Sequence, residues 1–93
     1  MDAMAAYAVE ARPRVRKALR QLDPKIRADV LARMRSLATD PRPPGTEALQ
    51  GHPPWLRIRA GDYRIIFAIN DETRIVTVGL VGHRRDVYRR LDL

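Results

Sequence analysis

Ninety-three residues with no cysteine and two histidines leave room for one modest core, without a disulfide framework or a thiolate metal site. Eighteen basic residues against eleven acidic ones give a formal charge of +7, which points to polyanionic partners, nucleic acid or an acidic protein; sixteen of the eighteen are arginine. Met1–Ala8 lacks the basic start and apolar run of a signal peptide, and the longest apolar run, Ile65–Ile69, cannot span a bilayer, so no membrane partner is expected and a reducing cytoplasm is the expected location.

Residues Met4–Glu10, with Tyr7 and Val9 as β-formers, read as a short strand able to join an edge of a later sheet. Pro13 suits the first turn of a helix, and Val15, Ala18, Leu19 and Leu22 recur at helical spacing between basic residues. Asp23-Pro24 then offers an N-cap and a proline at the first helical position, ahead of the apolar stripe Ile26, Val30, Leu31, Met34 and Leu37. The two segments predict an antiparallel helical hairpin. Thr39–Gly45 cannot continue a helix, because Pro41, Pro43 and Pro44 remove donors and force extended geometry. Leu49, Gln50 and Gly51 lead into His52-Pro53-Pro54, a loop that delays the next strand to Trp55, itself read as a packing residue at the rim.

From Trp55 to Tyr88 the period is two, and three strands with two tight turns are predicted. With Gly61-Asp62 as a two-residue hairpin loop, Ala60 faces Tyr63, Arg59 faces Arg64, Ile58 faces Ile65 and Arg57 faces Ile66. Leu56, Ile58, Tyr63, Ile65, Phe67 and Ile69 then form the core side, and Arg57, Arg59 and Arg64 share the other. Like charges placed opposite each other destabilise a sheet, and no carboxylate but the turn residue Asp62 lies between His52 and Ile69, so the arginine face reads as a ligand site. An even loop through Asn70–Thr73 puts Val76, Val78 and Leu80 on the core side, and Ile75, Thr77, Gly79, Val81 and His83 on the arginine face. Gly79 is then expected across from Arg64, leaving open space above it. After this strand, Arg84–Leu91 is expected to form one or two turns of helix, docked by Val87 and Leu91.

The motifs L-x-G at Leu49–Gly51, W-L-R-I-R at Trp55–Arg59, G-D-Y-R-I-I-F at Gly61–Phe67 and V-G-H-R-R-D-V-Y at Val81–Tyr88, in this order of elements, resemble toxins of the RelE/ParE superfamily, RelE-like branch. The resemblance covers most of the chain. It implies one RelE-like α+β domain over residues 1–93: an antiparallel sheet, built from an N-terminal strand and a three-stranded meander, packed on a helical hairpin, with a short C-terminal helix. It further implies an mRNA endoribonuclease acting on the ribosome, partnered by a RelB-like antitoxin and reaching operator DNA only through the antitoxin complex. Arg57, Arg59, Arg64, Arg84 and Tyr88 fall at positions that carry function in RelE-type members.

Such a nuclease lets the ribose 2′-hydroxyl attack the adjacent phosphorus, with a base to take its proton, cations to hold the added charge and an acid for the leaving 5′-oxygen. No metal or cofactor is required. Guanidinium groups supply charge and forked hydrogen bonds but stay protonated, so His83, an imidazole with a neutral, proton-accepting form, is the expected base. Arg84 is assigned to the leaving oxygen, and Tyr88 to stacking or proton relay. Arg12, Arg14 and Arg16 are read as solvated or as contacts to ribosomal RNA phosphates. Two further readings stand beside the nuclease: a ParE-like poison of DNA gyrase, which shares the fold, and a catalytically weak toxin acting mainly as an antitoxin-binding co-repressor.

Overall fold

The computed structural model describes residues 6–93. Its elements are β1 (Ala8–Ala11), α1 (Pro13–Arg20), α2 (Pro24–Ser36), β2 (Glu47–Ala48), β3 (Leu56–Ala60), β4 (Tyr63–Asn70) and β5 (Ile75–His83), followed by a 3-10 turn at Val87–Arg89. Of the expected first strand, Met4 and Ala5 lie outside the described residues. The strands make one sheet in the order β1-β5-β4-β3-β2. β1 pairs with β5 in parallel, from Ala8 opposite Ile75 to Ala11 opposite Val78, so the sheet is mixed where an antiparallel one was expected. Two helices and a connector separate β1 from β2, and no hairpin turn constrains the direction of β1.

Both helices begin with proline at the first turn, where a missing N–H costs nothing. Asp23 occupies the N-cap position of α2 as expected, although its side chain makes no capping bond there. The three-residue turn between the helices is held by Arg27, whose Nε donates to the Leu19 carbonyl and Nη2 to that of Leu22, both at 2.8 Å. These are carbonyls that α1 itself cannot satisfy. Val15, Leu19, Val30, Met34 and Leu37 pack on Ile58, Ile65, Phe67, Val76 and Val78 of the sheet to form the main core. Removing one of these large side chains to alanine costs about 2–5 kcal/mol.

The β3–β4 hairpin has the expected register, with Arg59 opposite Arg64 and Arg57 opposite Ile66. Gly61 provides the left-handed first position that the loop needs, at φ 61°. At the next turn Asn70 Oδ1 accepts the N–H groups of Glu72 and Thr73, at 3.0 and 3.1 Å, and Val76 and Val78 face the core as expected. Beyond that the expected register fails. Phe67 pairs with Val78 but Ile66 pairs with Leu80, so Gly79 is an extra residue, a β-bulge. The bulge reverses the alternation: Val81 joins the main core, Leu80 turns to the opposite face, and Arg64 lies across from Gly82.

The face away from the helices carries a second, smaller core, in which Leu49, Ile66, Leu80 and Val87 pack with Trp55, Leu91 and Leu93. Trp55 is a packing residue, and its ring fills the space expected to be open over Gly79: a Cβ there would stand 2.8 Å from two ring atoms. The expected C-terminal helix is the single 3-10 turn. Arg12 stacks on Trp55, 5.0 Å from the ring centroid, and Arg14 binds Asp92 at 3.0 Å and the Arg90 carbonyl at 3.2 Å. These two arginines are thus engaged with residues 90–93 of the chain, where they were read as simply solvated. At the far end of the sheet, Asp71 accepts from the Tyr7 hydroxyl at 2.6 Å and from Arg42 at 2.9 Å, tying β1, the proline-rich connector and the β4–β5 turn together.

Candidate active site

On the face away from the helices, the outward residues of β3 and β4 meet β2 and the C-terminal turn around a groove of about 340 Å³. Arg57, Arg59 and Arg64 form its floor, Arg84, Arg85 and Tyr88 one wall, and Gly45 and Glu47 the other. Of the six site residues expected from sequence, Arg57, Arg59, Arg64, Arg84 and Tyr88 are brought together here. His83 is not. The bulge at Gly79 turns it to the helix side, opposite Tyr63, where the two rings meet edge to face at 5.5 Å. Its Nδ1 accepts the Arg85 N–H at 3.2 Å, and its neighbours in that hollow include Ala18, Leu22 and Asp86.

Glu47 is the residue that sequence reasoning missed. β2 is two residues long and pairs Glu47 with Arg57, and the carboxylate oxygen Oε1 takes hydrogen bonds from Arg57 Nη2 at 2.9 Å and Nε at 3.2 Å. Arg57 therefore does have a counter-charge, from ahead of the stretch between His52 and Ile69. Arg57 Nη1 also donates to the Tyr88 hydroxyl at 2.8 Å, and its guanidinium carbon lies 5.6 Å from the centroid of the Tyr88 ring. The phenol first, and then the carboxylate, hold Arg57 protonated more firmly than an ordinary guanidinium, against the opposing effect of its burial.

The other cations are less committed. Arg64 Nη1 donates to the main-chain carbonyls of Gly61 and Tyr63, at 3.1 and 3.0 Å, which brings it back over the hairpin turn. Arg84 lies on the same turn: its N–H donates to the Asp62 carbonyl at 2.8 Å and its Nε is 3.7 Å from the Asp62 carboxylate. Among the described residues no side chain accepts from Arg59. Five guanidinium groups against one carboxylate make a groove suited to a phosphate in a charge-accumulating state, and among the described residues Glu47 is the only acidic side chain on its walls. Among the described residues no cluster of potential metal ligands occurs, and no helix is long and apolar enough to cross a membrane.

The fold is shared with solved toxins. This chain is similar to the archaeal RelE of the RelE–RelB complex from Pyrococcus horikoshii OT3, with 26% identity over 84% of this chain and 94% of that one, at a TM-score of 0.74. It is also similar to a chain of the toxin–antitoxin complex RelBE2 from Mycobacterium tuberculosis, with 29% identity, coverage of 84% and 98%, and a TM-score of 0.74. A chain of the intact E. coli RelBE complex matches at 26% identity, coverage of 83% and 95%, and a TM-score of 0.71. No curated protein sequence matches.

A mixed sheet with two helices on one face and an arginine-rich groove on the other thus defines a RelE-type toxin fold. Residues 7–88 match the family described as the ParE toxin of the type II toxin–antitoxin system, parDE, and the chain belongs to that family.

Proposed function

We propose that this toxin is a ribosome-dependent mRNA endoribonuclease, neutralised by a cognate RelB-like antitoxin. The observation that carries this reading is the convergence of Arg57, Arg59, Arg64, Arg84 and Tyr88 around one carboxylate, Glu47. A protein acting only by docking to another has no need of a lone proton acceptor set among phosphate-binding groups. In the proposed reaction Glu47 takes the proton of the ribose 2′-hydroxyl, whose oxygen attacks the adjacent phosphorus. The P–O5′ bond breaks, leaving a 2′,3′-cyclic phosphate and a 5′-hydroxyl. Arg57, Arg59 and Arg64 hold the extra negative charge of the pentacoordinate state through forked hydrogen bonds. Arg84 sits beside the leaving 5′-oxygen, which leaves with a proton from solvent or from the Tyr88 hydroxyl. No metal enters this scheme.

Arg57 has two further roles in it. Its bond to Glu47 fixes the carboxylate at the groove, and its bond to Tyr88 orients the phenol. His83 has no part, since it faces the helices. An antitoxin partner is supported by the relatives solved with RelB, and the charge of +7 favours an acidic one.

The family match favours a second reading, a ParE-like inhibitor of DNA gyrase. The two separate in one experiment. The toxin and an Arg64→Ala variant are expressed from a tight promoter without antitoxin, and mRNA 5′ ends are mapped in growing cells. Cuts within translated codons, lost in a folded variant, support the nuclease. Growth arrest with intact mRNA and DNA breaks moves the reading to gyrase.

A further inference from the structure

We infer that Arg33 of α2 and Arg59 of β3 form a second phosphate subsite at the open edge of β3, which takes the backbone of a nucleotide flanking the cleaved bond. The inference rests on the nuclease reading above. β2 covers only Arg57 and Leu56 of β3, and past Arg57 this edge has no partner strand. The Leu49 N–H bond to the Trp55 carbonyl, at 2.9 Å, sets the alternation of the ladder. By that alternation the main-chain groups of Arg57 and Arg59 both point toward the edge. The Arg59 carbonyl is taken by Arg33 Nε at 3.1 Å, while its N–H has no partner among the described residues.

Arg33 has its Nε committed and both Nη groups available: among the described residues none of them meets an acceptor, and no carboxylate forms an ion pair with it. Two guanidinium groups against the one carboxylate of Glu47 thus line one groove beside this N–H, an arrangement favourable around an anion. That groove shares Gly45, Glu47 and Arg59 with the active groove, so a single ligand can run through both. A strand of RNA has a phosphate at each nucleotide and fits such a path. An isolated carboxylate of an acidic peptide would satisfy the edge but not the continuity.

The test is binding of the intact toxin to a labelled 2′-O-methyl RNA nonamer, which cannot be cleaved, over a range of salt. Each phosphate contact on a single strand contributes about 0.7 to the slope of log K against log salt. Arg33→Gln is expected to reduce the slope by about that amount, and Arg35→Gln, the same charge change at an exposed residue outside both grooves, to leave it unchanged. Equal effects of the two variants, a change confined to binding of an acidic peptide, or no binding by the wild-type chain overturns the subsite. A loss with Arg33→Gln but none with Arg64→Gln sinks the nuclease reading of the active groove instead. Should Arg33→Gln not fold, the wild-type toxin is irradiated with a nonamer carrying 4-thiouridine at each position in turn. Crosslinks to α2 are expected from a flanking position, and their absence overturns the subsite.

Discussion

Glu47 and Arg57 face each other across a strand pair only two residues long, and both Nη2 and Nε of the arginine donate to a single carboxylate oxygen. Both groups are substantially exposed, with 58% of the Glu47 and 36% of the Arg57 side chain accessible, and a pair so exposed contributes about 0–1 kcal/mol to stability. Its value lies in what it does to the carboxylate. Glu47→Gln keeps the size and most of the hydrogen bonding but cannot accept a proton. Cleavage of ribosome-bound mRNA is expected to fall by about 10²-fold or more, with the melting temperature nearly unchanged. A variant that cuts at the wild-type rate removes Glu47 from the chemistry.

Tyr88 is the most exposed large apolar side chain among the described residues, yet its hydroxyl is engaged by Arg57 at 2.8 Å. Tyr88→Phe retains the ring and its contact with the guanidinium while removing that hydrogen bond. A loss of about 10-fold or more in the single-turnover cleavage rate is expected, in line with a hydrogen bond to a charged group. If the ring alone matters, Tyr88→Phe will match the wild type and only Tyr88→Ala will fail.

His83 faces the helices beside Tyr63, and His83→Gln is expected to leave cleavage within about threefold of wild type. Rates measured between pH 5 and 8 should show the same profile for both proteins. A profile that loses an inflection in the variant would restore the imidazole as the base.

Gly79 has the Trp55 ring against it, and no methyl group fits without displacing that ring or Leu93. Gly79→Ala is expected to destabilise the protein by about 1–3 kcal/mol, as overpacking does. In a domain of this size that lowers the melting temperature by about 4–8 °C per kcal/mol. An unchanged melting curve would mean that the bulge does not hold the tryptophan.

Asp71 is held below the ordinary carboxylate value of 3.8, first by its hydrogen bonds from Arg42 and Tyr7. A depressed folded value means that its contribution is present above the ordinary value and is lost as the pH falls through the lower folded one. Asp71→Asn is therefore expected to melt below the wild type at pH 5 to 7, with the gap closing below about pH 3.8. A gap independent of pH would assign the effect to packing.

The extent to which these features are legible in sequence varies with the element. The β3–β4 register follows from one pair, Gly61-Asp62, because a two-residue loop admits one pairing and each later residue inherits it. This was enough to bring Arg57, Arg59 and Arg64 together. The same inheritance misled the reading of β5, where one unpaired residue reverses every side chain after it, and His83 with them. The signal was a glycine inside a strand of β-branched residues, which marks a bulge or a close approach, and Gly79 is both. Glu47 left no comparable trace. A strand of two residues has no period, and a carboxylate ten residues from Arg57 becomes its neighbour only because the proline-rich connector leads the chain to that edge.

The order of the strands has a consequence for the newly made protein. Arg57, Arg59 and Arg64 leave the ribosome before β5, and β1 has nothing to pair with until residues 75–78 are out. At about 5–20 residues per second, some 1–5 s separate the synthesis of Arg64 from that of Tyr88. Through that interval the residues of the floor have been made but Arg84, Arg85 and Tyr88 of the wall have not, and Arg12 and Arg14 lack the Leu93 and Asp92 that they bind. The groove is therefore complete only once residues 84–88 have been made and have folded against the sheet.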